Sequence, residues 1–155
     1  MDFLERLGKD LAEAMKSREE GKELLVSVLR MMKSSLKNAE IAKRGSGEGL
    51  KEEDIIGVLS TMVKQRKESA EEYTRANRKD LADRENREKG IIMKYLPQQL
   101  TVEELDAVIR STIEEAGVTG PKEFGKLMKD LMPKVKGKAD GKVVSQHVKE
   151  ILEKM

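Results

Sequence analysis

The chain has 155 residues, of which 39% are charged and 3% aromatic, with 31 basic against 29 acidic side chains and a net charge of +2. It contains no cysteine and one histidine, which excludes disulfides, thiolate chemistry and His-pair metal motifs. Half of its residues are Ala, Glu, Lys, Leu or Arg, a composition of long helices, and the near-cancelling charge removes the self-repulsion that would keep such a chain unfolded.

Taken in chain order, the apolar spacing is helical almost throughout. The N-terminal stretch Met1 to Arg6 is charged and has no apolar h-region, so it is not a secretory signal. No apolar run approaches the ~20 residues a bilayer span needs. A chain without cysteine suits a reducing compartment, so a cytoplasmic location and no membrane contact are expected. Phe3, Leu4, Leu7, Leu11 and Met15 form a first stripe, with Gly21 as the break. Leu25, Val28, Leu29, Met32, Leu36 and Ala39 form a second, ending near Arg44. Gly45-Ser46-Gly47-Glu48-Gly49 then reads as a flexible loop. It lacks the Lys-Ser/Thr ending of a phosphate-binding P-loop, and no strand precedes it.

Glu52-Glu53-Asp54 suits the positive end of a third helix, whose buried face is Ile55, Leu59, Met62, Val63, Ala70 and Tyr73. From Arg75 to Lys89 the charges alternate in sign, and the helical pattern continues with Leu81, Glu85, Ile92 and Tyr95 on one side. Pro97 disfavours helix at Leu96 and marks the main boundary. Beyond it, Thr101-Val102-Glu103-Glu104 is a capping-box pattern opening a helix that stops near Gly117. Pro121 suits a first helical position, Phe124, Leu127, Met128, Leu131 and Met132 continue the period, and Pro133 is expected to end that helix. Asp140 can cap a last helix with the face Val144, Val148, Ile151, Leu152 and Met155. The expectation is an all-α protein with about four helices in a domain 1–96 and three short ones in a domain 97–155.

Charge is uneven along this plan. Residues 98–120 carry one basic and five acidic side chains, and residues 121–155 carry nine basic and five acidic. The densest basic stretch, Pro133 to Lys142, holds Lys134, Lys136, Lys138 and Lys142 around Gly137, Asp140 and Gly141. It leads into a helix N-terminus, where unpaired amides and the dipole attract phosphate. Two readings stand side by side: a loop contacting an RNA backbone, or a solvated basic turn in which Asp140 takes up the amides as an ordinary cap. A second basic cluster is Lys64, Arg66 and Lys67, with Arg75, Arg78 and Lys79 further on; Lys64, Lys67 and Arg75 do not share one clean helical stripe, and nearby Glu68, Glu71 and Glu72 offer partners for a salt-bridged solvent face.

Candidate catalytic groups do not assemble. His147 borders an apolar stripe with no dyad partner beside it in sequence. Glu103-Glu104 and Glu114-Glu115 diverge around a helix. Met15, Met32, Met62, Met128 and Met132 fall at helix-face positions, so core filling is preferred to a methionine-rich groove. With only Phe3, Phe124, Tyr73 and Tyr95 as aromatics, base stacking is a weak mode of recognition here. No catalytic residue, metal or cofactor is assigned.

Four stretches together resemble the bacterial YqeY proteins, also called GatB/YqeY-like: Lys64 to Ser69, Ala76 to Leu81, Tyr95 to Leu100 and Met132 to Gly141. The last two are the most specific. The resemblance implies an all-helical, two-part architecture whose C-terminal part is similar to the tail domain of the GatB subunit of Asp/Glu-tRNA amidotransferase. In that enzyme the tail contacts tRNA, so the resemblance points to tRNA through Lys134, Lys136, Gly137, Lys138, Asp140 and Gly141. The label of carbon–nitrogen ligase with glutamine as amido donor goes with the domain name, because the catalytic apparatus of that enzyme has no counterpart in this chain. An accessory tRNA-binding protein is expected; the alternative is an interaction module docking onto an amidotransferase, a synthetase or another protein.

Overall fold

A computed structural model describes residues 2–47 and 49–155. Among the described residues, seven α-helices make up the fold: α1 Phe3–Lys16, α2 Lys22–Lys43, α3 Glu52–Arg75, α4 Lys79–Met93, α5 Val102–Ala116, α6 Phe124–Val135 and α7 Gly141–Glu153. Short 3-10 turns occupy Arg44–Ser46 and Pro121–Glu123. The protein is all-α, and it divides into two compact units, Met1–Leu96 and Pro97–Met155. Of the glycine-rich loop after α2, Glu48 lies outside the described residues.

In the first unit, Asp2 caps α1 by accepting the Glu5 amide at 2.8 Å. Leu7, Val28, Leu29, Met32, Leu36, Leu59 and Ile92 are fully buried, joining α1 to α4 in one core. At the start of α3, Asp54 accepts both the Lys51 amide at 2.8 Å and the Lys43 ammonium at 2.6 Å. The two ends of the 44–51 loop are thereby clamped, and the Lys43 contact holds the Asp54 carboxyl below the usual range. The expected helical continuation across Arg75–Lys89 is interrupted. Asn77 adopts φ +62, the Arg78 amide bonds the Tyr73 carbonyl at 2.8 Å, and the Asn77 amide bonds Thr74 at 3.1 Å. This is a Schellman closure, and asparagine is among the few residues that tolerate the left-handed position it requires. The turn sends α4 back against α3.

Two features of this unit depart from the periodic reading. Met15, expected in the core, is 50% exposed. Glu88, which reads as solvent-facing, is only 7% exposed. Its i−3 neighbour Glu85 is pushed up in pKa, first by burial and then by the Glu88 carboxylate, with Arg66 offsetting part of the effect. Tyr95 closes the unit: its hydroxyl donates to Asp10 at 2.6 Å, Arg6 lies 5.1 Å over its ring, and Phe3 packs edge-on at 5.9 Å. Burial, followed by the Asp10 carboxylate, raises the phenol's pKa.

The second unit begins with Thr101 accepting the Glu104 amide at 3.1 Å, the Thr101 half of the expected box. Helix α5 ends at Gly117, with φ +67, where the Val118 amide bonds the Ile113 carbonyl at 3.1 Å and brings Val118 into the core. Ile109, Leu127, Leu131, Val135, Val144 and Val148 are fully buried. Pro133 does not end α6, which runs on to Val135. Proline lacks the N–H that would reach the Lys129 carbonyl, a cost confined to one bond in a last turn. Complete burial of Val135, four residues after Leu131, offsets it. Met155 is exposed instead of joining the α7 face.

Two stability predictions follow from the polar groups of the first unit. Tyr95→Phe keeps the ring and removes the hydroxyl, so denaturant unfolding should show a loss of about 1 kcal/mol. Glu85 has a raised folded pKa, so its ionised form weakens the fold at neutral pH, and stability from the protonated form is lost as pH rises through that value. Glu85→Gln should therefore raise the melting temperature at pH 7. The gain should disappear once the pH falls below the ordinary glutamate value of 4.5.

Candidate nucleic-acid interface

The basic stretch of the second unit divides into a structural and an exposed part. Lys134 sits on α6 and turns toward α5, with Nζ 2.7 Å from Glu115 and 3.1 Å from the hydroxyl of Thr112, which is 1% exposed. That contact holds the Glu115 carboxyl below its usual range. Lys134 is thus a cross-brace between two helices. The expectation that Pro133 stops the helix placed it in the loop; the Leu127–Leu131–Val135 spacing carries the signal that it lies on α6.

Lys136 and Lys138 are exposed on the turn between α6 and α7, and among the described residues neither is in an ion pair. Gly137 between them has φ +76, a conformation that glycine adopts without strain. The Lys138 amide bonds the Val135 carbonyl at 2.9 Å and the Ala139 amide bonds it at 3.2 Å, tightening the exit from α6. Asp140 then caps α7, its carboxylate accepting the Lys142 amide at 2.9 Å. Gly141 opens that helix, and Lys142 is exposed on its first turn.

Two hydrogen bonds fix this turn from the side. The Leu100 amide donates to the Lys138 carbonyl at 2.8 Å, and the Gln99 side-chain amide donates to the Gly137 carbonyl at 2.7 Å. Gln99 also donates to the Pro97 carbonyl at 2.9 Å, which sets its own direction. Both carbonyls of the turn point into the protein, so Lys136 and Lys138 project from a backbone that is already ordered. The stretches Tyr95–Leu100 and Met132–Gly141 are therefore bonded to each other through their Gln99-Leu100 and Gly137-Lys138 portions. Sequence reading found both and missed the bond, because the partners lie 38 residues apart.

The second basic cluster is not gathered into one place. Arg66 turns inward, with one guanidinium nitrogen 3.4 Å from the Met31 sulfur and another 3.5 Å from the Met62 carbonyl. Arg78 forms a two-point ion pair with Asp80 at 3.3 Å. Lys64 is exposed, whereas Lys67 lines a hollow between α3 and α4. His147 is half-buried on α7. Among the described residues, no group of three or more His, Asp or Glu side chains is placed to hold a metal ion, and no helix is long and apolar enough to cross a membrane.

A family model described as Yqey-like protein matches residues 4–152. The chain belongs to this family. Among curated proteins it is similar to the yeast protein named Altered inheritance of mitochondria protein 41, mitochondrial. Identity is 33% over 141 residues in Lachancea thermotolerans, covering 90% of this chain and 71% of that protein. In Vanderwaltozyma polyspora it is 31%, covering 83% and 66%. In Saccharomyces cerevisiae it is 36% over 97 residues, covering 63% of this chain and half of the relative. These names place the relatives in mitochondria, and the cytoplasmic location expected from the sequence is corrected on that ground. The physical inference behind it was too weak. Absence of cysteine favours no particular reducing compartment, and a missing h-region excludes a secretory signal but not a mitochondrial one, which is amphipathic and Arg-rich.

The division of the lysines is testable by thermal denaturation. Lys134→Ala should lower the melting temperature by roughly 1–3 °C at pH 7, while Lys136→Ala and Lys138→Ala should leave it unchanged. Because Glu115 has a depressed carboxyl, the Lys134 contribution is complete above the ordinary value of 4.5 and shrinks as the pH falls below it.

Proposed function

We propose that this YqeY-like protein is a non-catalytic tRNA-binding accessory protein, and that the turn carrying Lys136, Lys138 and Lys142 contacts the RNA backbone. The observation that carries the reading is the fixed turn: exposed lysines on a backbone held by Gln99 and Leu100. Side chains projecting from an ordered backbone lose less freedom on binding than those of a loose loop. Gly137 and Gly141 leave the backbone open to close approach. Asp140 limits the site, because its carboxylate takes the Lys142 amide and repels an anion at the helix axis. The phosphates therefore meet the lysines beside the helix terminus, not the terminus itself. The family's association with the GatB tail supports the same reading, and shape and phosphate contacts dominate over base readout with so few aromatics.

A protein partner, such as an amidotransferase or synthetase subunit, is the second reading. The exposure of Met15 beside Val26 and Met31 on the first unit favours it, because flexible thioethers adapt to apolar partners. A stoichiometric partner that survives nuclease and high salt would select this reading over the first.

Retention of tRNA by purified protein at low salt, against an albumin control, tests the RNA reading. Lys136→Glu with Lys138→Glu should weaken binding at least ~10-fold and flatten its salt dependence. Both residues are solvent-exposed and outside the Lys134 brace, so the melting temperature should hold. Equal affinity of this variant and the parent would remove the turn from the interface.

A further inference from the structure

The structure regroups the basic residues of the first unit in a way that the sequence order conceals. A surface hollow of about 410 Å³ lies between α3 and α4. Lys67 and Arg75 reach it from α3, and Lys89 and Asn86 reach it from α4. Glu71 is the one acidic side chain in its lining, which leaves a net charge of +2 on the wall. The buried Ala70 forms part of its floor, and Thr74 uses its hydroxyl proton on the Ala70 carbonyl at 2.8 Å. The lining thus offers three cations and one carboxamide, contributed by two helices.

Helix geometry explains why they meet. Lys67, Ala70, Glu71 and Thr74 follow i, i+3, i+4, i+7 along α3, and Asn86 and Lys89 follow i, i+3 along α4. The Asn77 closure folds one helix back on the other and brings these two faces together. Arg66 and Arg78 are withdrawn from the surface electrostatics of the region, one toward Met31 and the other onto Asp80. Lys67 has a contact of its own, so a ligand must compete for it.

We infer that this α3–α4 hollow binds phosphate groups, and that the phosphates are those of an RNA backbone. An open hollow does not enclose a small anion, but it admits one phosphate of a continuous strand and leaves its neighbours in solvent. Cations bearing a net positive wall charge attract such a polyanion over several ångströms, and the Asn86 amide adds a directional donor. The inference rests on the RNA reading for the identity of the ligand, but it does not depend on the turn at Lys136–Lys142.

The test uses the full chain with tRNA at a series of salt concentrations. Three variants are compared: Lys67→Gln/Arg75→Gln/Lys89→Gln in the hollow, Lys9→Gln/Lys33→Gln/Lys37→Gln on exposed positions elsewhere, and Lys136→Gln/Lys138→Gln in the turn. The second has the same charge loss as the first and controls for net charge. The hollow variant should lose roughly 10- to 50-fold in affinity at 0.1 M salt and about one unit of log–log salt slope. The charge control should lose much less. A hollow variant that binds like the charge control overturns the inference, whether or not the turn variant fails. Loss in the hollow variant with an unaffected turn variant supports the inference and instead removes the turn. Two further probes separate the sources of anion. Titration of inorganic phosphate at constant ionic strength, followed through the Asn86 side-chain amide signal, should show no saturation below ~10 mM. Saturation there with unchanged tRNA affinity of the hollow variant assigns a free phosphate and overturns the RNA part. Displacement of tRNA by poly-glutamate of equal charge as readily as by a second RNA overturns phosphate selectivity.

Discussion

The bond between the Gln99-Leu100 segment and the Gly137-Lys138 turn is the constraint on which the second unit's surface depends. An inter-helix turn with a left-handed glycine and two lysines has little reason to hold one shape by itself. Its carbonyls here accept from one backbone amide and one side-chain amide. The segment that supplies them is in turn fixed by Pro97, which cannot continue a helix, and by Thr101, which starts the next one. A basic turn thereby becomes a rigid feature without a single charged group being buried. That combination allows lysines to remain solvated until a polyanion arrives while their positions are already restricted.

The same economy appears in how the two units use charge. Lys134, four residues from Lys138, braces α6 to α5, and Arg66, two residues from Lys64, packs on Met31. Adjacent basic residues thus have opposite employment, one structural and one outward. A net charge of +2 for the whole chain hides this sorting. What matters for an anionic partner is which cations are exposed and share a face.

Much of the fold is legible in the sequence because helices bury residues with a local period. Leu7, Leu29, Leu36, Leu59, Leu127, Leu131 and Val148 all fall on predicted stripes and are fully buried. Asp2, Thr101 and Asp140 stand at helix starts, and of these the roles of Thr101 and Asp140 were readable from spacing. The departures come where apolar period and single-residue rules do not decide the outcome. Pro133 is overridden by the burial of Val135, Asn77 breaks a charged helix by a turn rather than by loss of periodicity, and Met15 is exposed although it keeps the period. The candidate site shows the same limit. Its lysines were identifiable as a run, but Gln99 lies 38 residues from its acceptor, and the Lys67–Lys89 grouping depends on α4 returning along α3.

The affinity of Gln99→Ala for tRNA at low salt tests the central claim most directly, since this substitution leaves every charge in place. If the fixed turn is what the RNA meets, the folded variant should bind several-fold more weakly with an unchanged salt slope, because the lysines remain but their backbone is released. Affinity equal to that of the parent would contradict the account, and would reduce the turn to a set of solvated charges.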